Sequence, residues 1–172
     1  MKRIDIFLQQ QRIKHVSKWI ESNSIILDVG CFQGELLFKN SRRIRYGYGI
    51  DPLLEKKIVG DNIELYPGKF PQDLPSKIVA LDAITALAVF EHLEAEEQTI
   101  FASKCYELLQ NQGRVILTIP SQKVDGILKF LSFFKIIDGM SLEEHHGFNQ
   151  KSTPQIFSAS GFELEHSKSF QF

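Results

Sequence analysis

The sequence has no long apolar runs, few cysteines and no excess of charge of one sign. No stretch approaches the length needed to span a bilayer, and the N-terminal region is polar around residues 9–12, without a secretory apolar segment. Cys31 and Cys105 are too few for a disulfide framework and are expected to be buried free thiols. We therefore expect a soluble protein in a reducing compartment, by default the cytoplasm.

The balance of charge bears on the possible partners. Twenty basic residues against 21 acidic residues leave almost no net field, so the overall charge lacks the long-range attraction that polyanion-binding proteins use. Nucleic acid is therefore not an expected partner. The densest basic cluster, residues 42–45, follows an expected helix, and cations at a helix C-terminus stabilise its dipole.

Length and composition predict one domain over residues 1–172. A hydrophobic content of 43% suffices for one core without disulfides or metals. Helical and extended patterns alternate along the chain, which predicts an α/β fold with a mostly parallel sheet. Expected helices cover 4–21, 35–40, 53–57, 94–110 and 153–160, and expected strands lie near 25–29, 45–51 and 63–66 and within 82–93 and 108–120.

The most informative segment is 25–36, where an apolar strand runs into a turn bracketed by Gly30 and Gly34 and then into a helix. Glycine lets the main chain approach a ligand closely, and the helix that follows presents unpaired N–H groups. Seventeen residues after Gly34, a second apolar strand ends in Asp51, a strong acceptor for a pair of ribose hydroxyls. Together these features predict a nucleoside site.

The spacing of the glycines argues against a dinucleotide site. That site requires Gly-x-Gly-x-x-Gly, and here Phe32 and Glu35 stand at the second and third glycine positions. A nucleotide-dependent oxidoreductase is therefore the less favoured interpretation.

The order strand, Asp-Val-Gly-Cys-x-x-Gly, helix, strand ending in Asp resembles the class I S-adenosylmethionine-dependent methyltransferases. The resemblance extends from Ile25 through 82–93, with its Glu-His-Leu ending, through 108–120, and to Ser160–Glu163. It implies a doubly wound, mostly parallel, Rossmann-like sheet and S-adenosylmethionine as the cofactor. Members of the family usually finish with an antiparallel strand pair, whereas only 162–172 remains here, so this pair is expected to be incomplete.

Three explanations of the incomplete strand pair are open. The chain stops short of its natural end, the last strand takes the inner position, or a second subunit fills the gap. A homodimer is therefore one possible partner arrangement, because an unpaired strand edge invites association.

The resemblance also implies site residues. Asp51 takes the ribose hydroxyls, the turn faces the methionine part of the cofactor, and Phe70 either stacks on adenine or belongs to a merely packed loop. Phe32 departs from the commonest turn of the family, Gly-Cys-Gly-x-Gly. The expected cofactor-binding residues are Asp28, Gly30, Cys31, Phe32, Gly34, Asp51, Pro52, Phe70, Ala88 and Val89.

Methyl transfer from a sulfonium is an in-line displacement, so alignment and exclusion of water can supply most of the rate. A base helps when the acceptor is a hydroxyl or an amine, and His145, His146 and His92 are the candidates, each of which could instead be structural. A metal cluster at residues 143–146 is disfavoured because adjacent side chains rarely point at one ion, so no metal is expected.

Two missing motifs narrow the expected class of methyl acceptor. The Asn/Asp-Pro-Pro-aromatic motif of base-amine methylases and the Pro-Cys nucleophile of cytosine-carbon methylases are both absent, which favours a small or lipid-like acceptor.

The inserted segment 121–147 is apolar nearly all round a helix over 127–137 and is expected to be a lid, a dimer surface or a membrane-skimming element. A noncatalytic cofactor-binding or partner-binding module is the alternative to an enzyme.

Overall fold

The computed structural model describes residues 3–119 and 150–169, which form helices around six strands. The helices are α1 (Arg3–Val16), α2 (Glu35–Asn40), α3 (Ala95–Leu108) and α4 (Thr153–Ala159), and short 3-10 helices cover Phe90–His92 and Gln150–Ser152. The strands are β1 (Ile25–Val29), β2 (Tyr46–Asp51), β3 (Ile58–Val59), β4 (Ile63–Pro67), β5 (Leu81–Leu87) and β6 (Leu109–Thr118).

The sheet has the strand order β3-β4-β2-β1-β5-β6. Its neighbouring strands run parallel, except that β3 pairs antiparallel with β4. The first strand lies in the middle, with β2 on one side and β5 on the other, so the strand order reverses at β1. In open α/β sheets a ligand crevice forms outside the carboxyl ends of the strands at such a reversal. The predicted doubly wound, mostly parallel fold is confirmed, and its reversal lies at the glycine turn.

The two faces of the sheet carry separate apolar cores because successive side chains of a strand point to opposite faces. On one face, Leu27 belongs to a cluster with Phe101 of α3 and Phe157 of α4. On the other face, Ile26 belongs to a cluster with Ile13 of α1 and residues of α2. Both faces of β1 are thus buried, which accounts for its apolar sequence.

The first helix is shorter than predicted. It ends at Val16, and the chain then turns before β1. The helical spacing of Ile13, Val16, Trp19 and Ile20 predicts one buried stripe. Ile13, Val16 and Ile20 are buried, but Trp19 is 43% exposed because it lies in this turn.

Residues 53–57, expected to be helical, instead form a turn and bends that lead into β3. The carboxylate of Asp51 accepts a hydrogen bond from Leu53 N at 2.8 Å, which turns the chain directly after β2. Ile58 then pairs antiparallel with Leu65, so the segment joins the sheet edge.

Helix α3 ends at Leu108, before the predicted position 110. Its apolar spacing predicts that Ile100 shares the buried face with Phe101 and Cys105, but Ile100 is exposed. Strand β6 continues directly from the helix and contains a large bulge. Leu109 pairs with Leu81 and Arg114 pairs with Ala83, so residues 110–113 lie opposite Asp82 alone.

Two further expectations concern the end of the chain and the inserted segment. Residues 162–169 belong to neither a helix nor a strand, so the described part of the chain adds no strand after α4. The inserted segment 121–147, with its apolar stretch 127–137, lies outside the described residues. Among the helices that are described, none is both long enough and apolar enough to cross a bilayer.

Candidate functional site

The turn after β1 needs its glycines. Gly30 and Gly34 adopt φ angles of +72° and +85°, the left-handed region that side chains disfavour, and Phe32 between them has φ +49°. A Cβ built at Gly34 would lie 2.8 Å from Leu65 Cδ1. The turn is fastened to the next strand because Gly30 N donates to the carbonyl of Ile50 at 2.9 Å. These contacts bring the turn against β2 and β4, next to Asp51.

The end of β5 approaches the same turn. Val89 Cγ2 lies so close to Gly30 that a Cβ there would collide with it. Ala88 has φ +57°, and its amide donates to the carbonyl of Thr118 at 2.9 Å, which ties the end of β5 to β6. The structure therefore brings Gly30, Ala88 and Val89, three of the expected cofactor-binding residues, together. The side chain of Val89 occupies the space directly beside Gly30.

Asp51 is 5% exposed, and both its carboxylate oxygens accept main-chain hydrogen bonds. Its Oδ2 accepts from Phe32 N at 2.7 Å, and its Oδ1 accepts from Leu53 N at 2.8 Å. Gly68 N donates to the carbonyl of Asp51 at 3.1 Å, so the loop after β4 starts at the same place. An ionised carboxylate has about four lone-pair sites. The two amides therefore leave acceptor capacity for hydroxyl groups.

A second acid, Asp28 on β1, lies beneath the turn and is 3% exposed. Burial raises the pKa of Asp28 to about 7, opposed by the hydrogen bond that Thr85 Oγ1 donates to Asp28 Oδ1 at 2.6 Å. The negative charges of Glu35 and Asp51 raise the pKa of Asp28 further. Near neutral pH, Asp28 is therefore close to its titration midpoint. Sequence reasoning missed Thr85, which faces Asp28 from the neighbouring strand.

Both cysteines are free and buried, as predicted. Burial raises the pKa of the Cys31 thiol, and the charge of Asp28 adds to this effect; burial alone raises the pKa of the Cys105 thiol. A nucleophilic cysteine needs a lowered pKa. Cys31 therefore contributes to packing of the turn, where its sulfur lies close to Gly49, rather than to covalent chemistry.

The loop after β4 is packed. The ring of Phe70 meets the ring of Phe101 edge-on, with 5.0 Å between centroids. Asp73, a possible acceptor for adenine, accepts a hydrogen bond from Lys69 N at 2.8 Å. Of the two interpretations of Phe70, the packed loop has a contact that supports it, and Phe70 is half-buried against the core.

Of the three histidines that are candidate bases, the structure describes only His92. His92 lies in the 3-10 helix Phe90–His92 that directly follows β5, so it is at the carboxyl end of the sheet. His145 and His146 lie outside the described residues.

Pro52, another of the expected cofactor-binding residues, is exposed beside Asp51. Within residues 3–119 and 150–169, no group of three or more histidine, cysteine, aspartate or glutamate side chains is placed to hold a metal ion.

No protein-family model and no curated protein sequence matches the chain. Solved structures do match. The chain is similar to magnesium protoporphyrin IX methyltransferase from Synechocystis PCC 6803, solved with bound SAH, at 18% identity and TM-score 0.66, over 92% of this chain and 75% of that one. It is also similar to a methyltransferase-like protein from Bacillus halodurans, at 17% identity and TM-score 0.65, over 91% and 69%.

A cyclopropane synthase from Mycobacterium tuberculosis matches at 14% identity and TM-score 0.57, over 86% of this chain and 57% of that one. At such identities the likeness concerns the fold. The chain has the Rossmann-like fold of class I S-adenosylmethionine-dependent methyltransferases, which the strand and turn motifs predicted.

Proposed function

We propose that this chain binds S-adenosylmethionine and transfers its methyl group to a small or lipid-like acceptor. The observation that carries the proposal is the position of Asp51. This buried carboxylate ends β2 at the point of strand reversal and holds the amide of Phe32 in the glycine turn. An acceptor with spare lone pairs beside such a turn suits a ribose diol. The fold supports the same conclusion.

The residues present fit the cofactor. Asp51 would accept from the ribose hydroxyls, the turn at Gly30 would lie along the methionine part, and Phe70 would border the adenine. Ala88 and Val89 would offer main-chain carbonyls to the ammonium group. Bound S-adenosylmethionine supplies an electrophilic methyl group on a sulfonium. The task of the chain is then to align the acceptor with that methyl group and to exclude water.

The sequence motifs and the similar structures both bear on the class of methyl acceptor. The base-methylase motifs are missing from the sequence. Two similar structures belong to a magnesium protoporphyrin IX methyltransferase and a cyclopropane synthase, neither of which is named for a nucleic acid substrate. These observations favour a small or lipid-like acceptor. His92, His145 and His146 remain the proposed candidates for a base.

Calorimetric titration of the purified chain tests the proposal. S-adenosylmethionine and S-adenosylhomocysteine should both bind, and NAD should not. A positive titration should be followed by a screen of metabolite and lipid acceptors in which formation of S-adenosylhomocysteine is measured. Binding of NAD without binding of the adenosyl compounds would replace the proposal with an oxidoreductase.

One observation favours the alternative of a noncatalytic cofactor-binding module. Val89 Cγ2 fills the space beside Gly30, where the methionine part of the cofactor would lie. Under this alternative, S-adenosylhomocysteine binds with an affinity that Val89→Ala increases, and no acceptor is methylated by either form. Turnover by the wild-type chain excludes it.

A further inference from the structure

A polar cluster on the sheet, which the proposed function does not use, is centred on Glu64 of β4. The carboxylate is 8% exposed and accepts hydrogen bonds from Tyr46 OH at 2.6 Å and from Tyr66 OH. Lys57 Nζ lies 2.6 Å from Glu64 Oε2, and Lys77 Nζ lies 3.0 Å from each oxygen. Four side chains from different parts of the chain therefore converge on one buried carboxylate.

The two lysines come from the two connections that border the candidate crevice. Lys57 ends the connection 52–57 between β2 and β3, and Lys77 lies in the crossover 68–80 between β4 and β5. Neither connection contains an α-helix, and the crossover has only turns and bends between its strands. Their conformation therefore depends on local turns and on contacts with the sheet rather than on a continuous helix.

Each connection is held at two points. Near the crevice, Leu53 N donates to the Asp51 carboxylate and Gly68 N donates to the main-chain carbonyl of Asp51, which fixes the first residues of both connections. Farther along, the ammonium groups of Lys57 and Lys77 meet on Glu64. Both loops are thus attached to Asp51 at their first residues and to the carboxylate of Glu64 farther along.

We infer that Glu64 is a positioning residue for the cofactor site, acting through Lys57 and Lys77 on the two loops that carry Leu53 and Phe70. This inference rests on the proposed function, since it concerns the same crevice. Glu64 touches no part of the crevice itself, so its effect is on the geometry of Asp51 and Phe70.

The electrostatics of the cluster explain why the carboxylate matters. Hydrogen bonds from Lys57, Tyr46 and Tyr66 hold the pKa of Glu64 well below its usual range, so the group is ionised throughout the neutral range. Both ammonium groups also lie over the ring of Tyr66, 4.7 Å and 5.8 Å from its centroid. Without the negative charge, two cations would share one aromatic ring with no counter-ion, and their repulsion would separate the loops.

The apolar core limits the size of the effect. Ile78, next to Lys77, is buried, and Leu74 packs against the same cluster. The crossover therefore stays attached when the ionic contact is lost, and the expected change is a local loosening of the crossover rather than unfolding of the chain.

The experiment compares Glu64→Gln, Lys57→Met and Lys77→Met with the wild-type chain in titrations with S-adenosylhomocysteine. Glu64→Gln keeps the size of the side chain and one acceptor oxygen but removes the charge. We expect affinity to fall roughly tenfold for Glu64→Gln and a few-fold for each lysine variant. Lys104→Met is the matched control, because Lys104 pairs with Glu107 at 2.7 Å on α3, away from both loops. It should bind as the wild type does.

Hydrogen exchange separates positioning from a general loss of stability. In Glu64→Gln, amides of 52–57 and 68–80 should exchange faster while those of β1 and α3 keep their protection. If Glu64→Gln does not fold, the two lysine variants, whose side chains are about half exposed, decide the matter. Wild-type affinity in the lysine variants would overturn the inference and leave the proposed function standing. No binding by the wild-type chain overturns both.

Discussion

The carboxylate of Asp51 accepts a hydrogen bond from the main-chain amide of Phe32 at 2.7 Å. This contact joins the end of β2 to the turn after β1, although the two residues are far apart along the chain. Phe32 adopts φ +49° in that turn, a conformation that glycine would adopt at less cost. A charge-assisted hydrogen bond compensates part of this cost, so the departure from the commonest turn of the family is accommodated by the acid itself.

Replacing Asp51 should weaken cofactor binding more than it weakens the fold. Asp51→Ala removes the carboxylate proposed to accept from the ribose and takes away the acceptor of the amides of Phe32 and Leu53. Losing a charge-assisted pair of hydrogen bonds costs on the order of 2 kcal/mol or more in binding. Titration with S-adenosylhomocysteine measures this cost.

Asp51→Asn is the informative companion to Asp51→Ala, because one acceptor oxygen remains for an amide of the turn. It should retain more stability than Asp51→Ala but still bind weakly. Asp61→Asn, at an exposed position between β3 and β4, is the control and should change neither property. Unchanged affinity in Asp51→Ala, with the chain folded, would contradict the assigned role.

Gly30 is required for two separable reasons, which a double-mutant cycle can measure. Gly30→Ala should destabilise the chain by about 1–2 kcal/mol from the left-handed backbone, and by about 1–3 kcal/mol more from the collision with Val89. Val89→Ala should recover the second part and not the first. Urea unfolding of the two single variants and the double variant gives the coupling energy.

Gly60→Ala is the matched control for Gly30→Ala. A Cβ at Gly60 would have only the carbonyl of Ile63 nearby, at 3.7 Å, and Gly60 does not have a positive φ. This variant should be close to neutral. If Gly30→Ala is equally neutral, the side chain of Val89 does not lie as close to Gly30 as the structure places it.

Much of the fold could be predicted because local patterns and tertiary contacts agree there. Helix α2 has the predicted bounds 35–40, and β1 and β2 lie where their apolar residues indicated. The glycine turn was also predictable, since only glycine suits the left-handed backbone at Gly30 and Gly34. These features depend on residues close together in the chain.

The errors occur where a distant contact determines the local structure. The residues from Leu53 to Lys57 favour a helix by composition, but Asp51 and Glu64 draw the two ends of this segment into a turn and a strand edge. The contact between Thr85 and Asp28 joins two strands and has no sequence signal of its own. The same is true of the lysines that meet on Glu64.

Replacement of the histidines tests for a general base. For the histidine that acts as the base, substitution by alanine should lower turnover roughly 10²- to 10⁴-fold and leave cofactor affinity unchanged. His92→Ala, His145→Ala and His146→Ala are compared with His166→Ala, whose ring contacts Trp19 near the amino end of the sheet. The assay follows S-adenosylhomocysteine formation with an acceptor found in the screen. Equal rates in all four variants would mean that alignment alone drives the transfer.

The raised pKa of Asp28 predicts an unusual dependence of stability on pH. In the unfolded chain this carboxyl loses its proton near the ordinary value of 3.8, whereas in the folded chain it keeps the proton until about pH 7. The folded state therefore binds more protons between these values, and the free energy of unfolding should fall as pH rises through this window. The contribution of Asp28 to this fall is on the order of 4 kcal/mol at most.

Asp28→Asn should remove this contribution, because asparagine stays neutral and its oxygen can still accept the hydrogen bond from Thr85. The variant should be more stable than the wild type at about pH 8, and the difference should disappear as pH falls toward 4. Urea unfolding at several pH values measures the difference, with Asp61→Asn as the exposed control. Parallel stability curves for Asp28→Asn and the wild type would show that Asp28 is ionised in the folded chain despite its burial, and that the turn above it supplies enough donors to hold the charge.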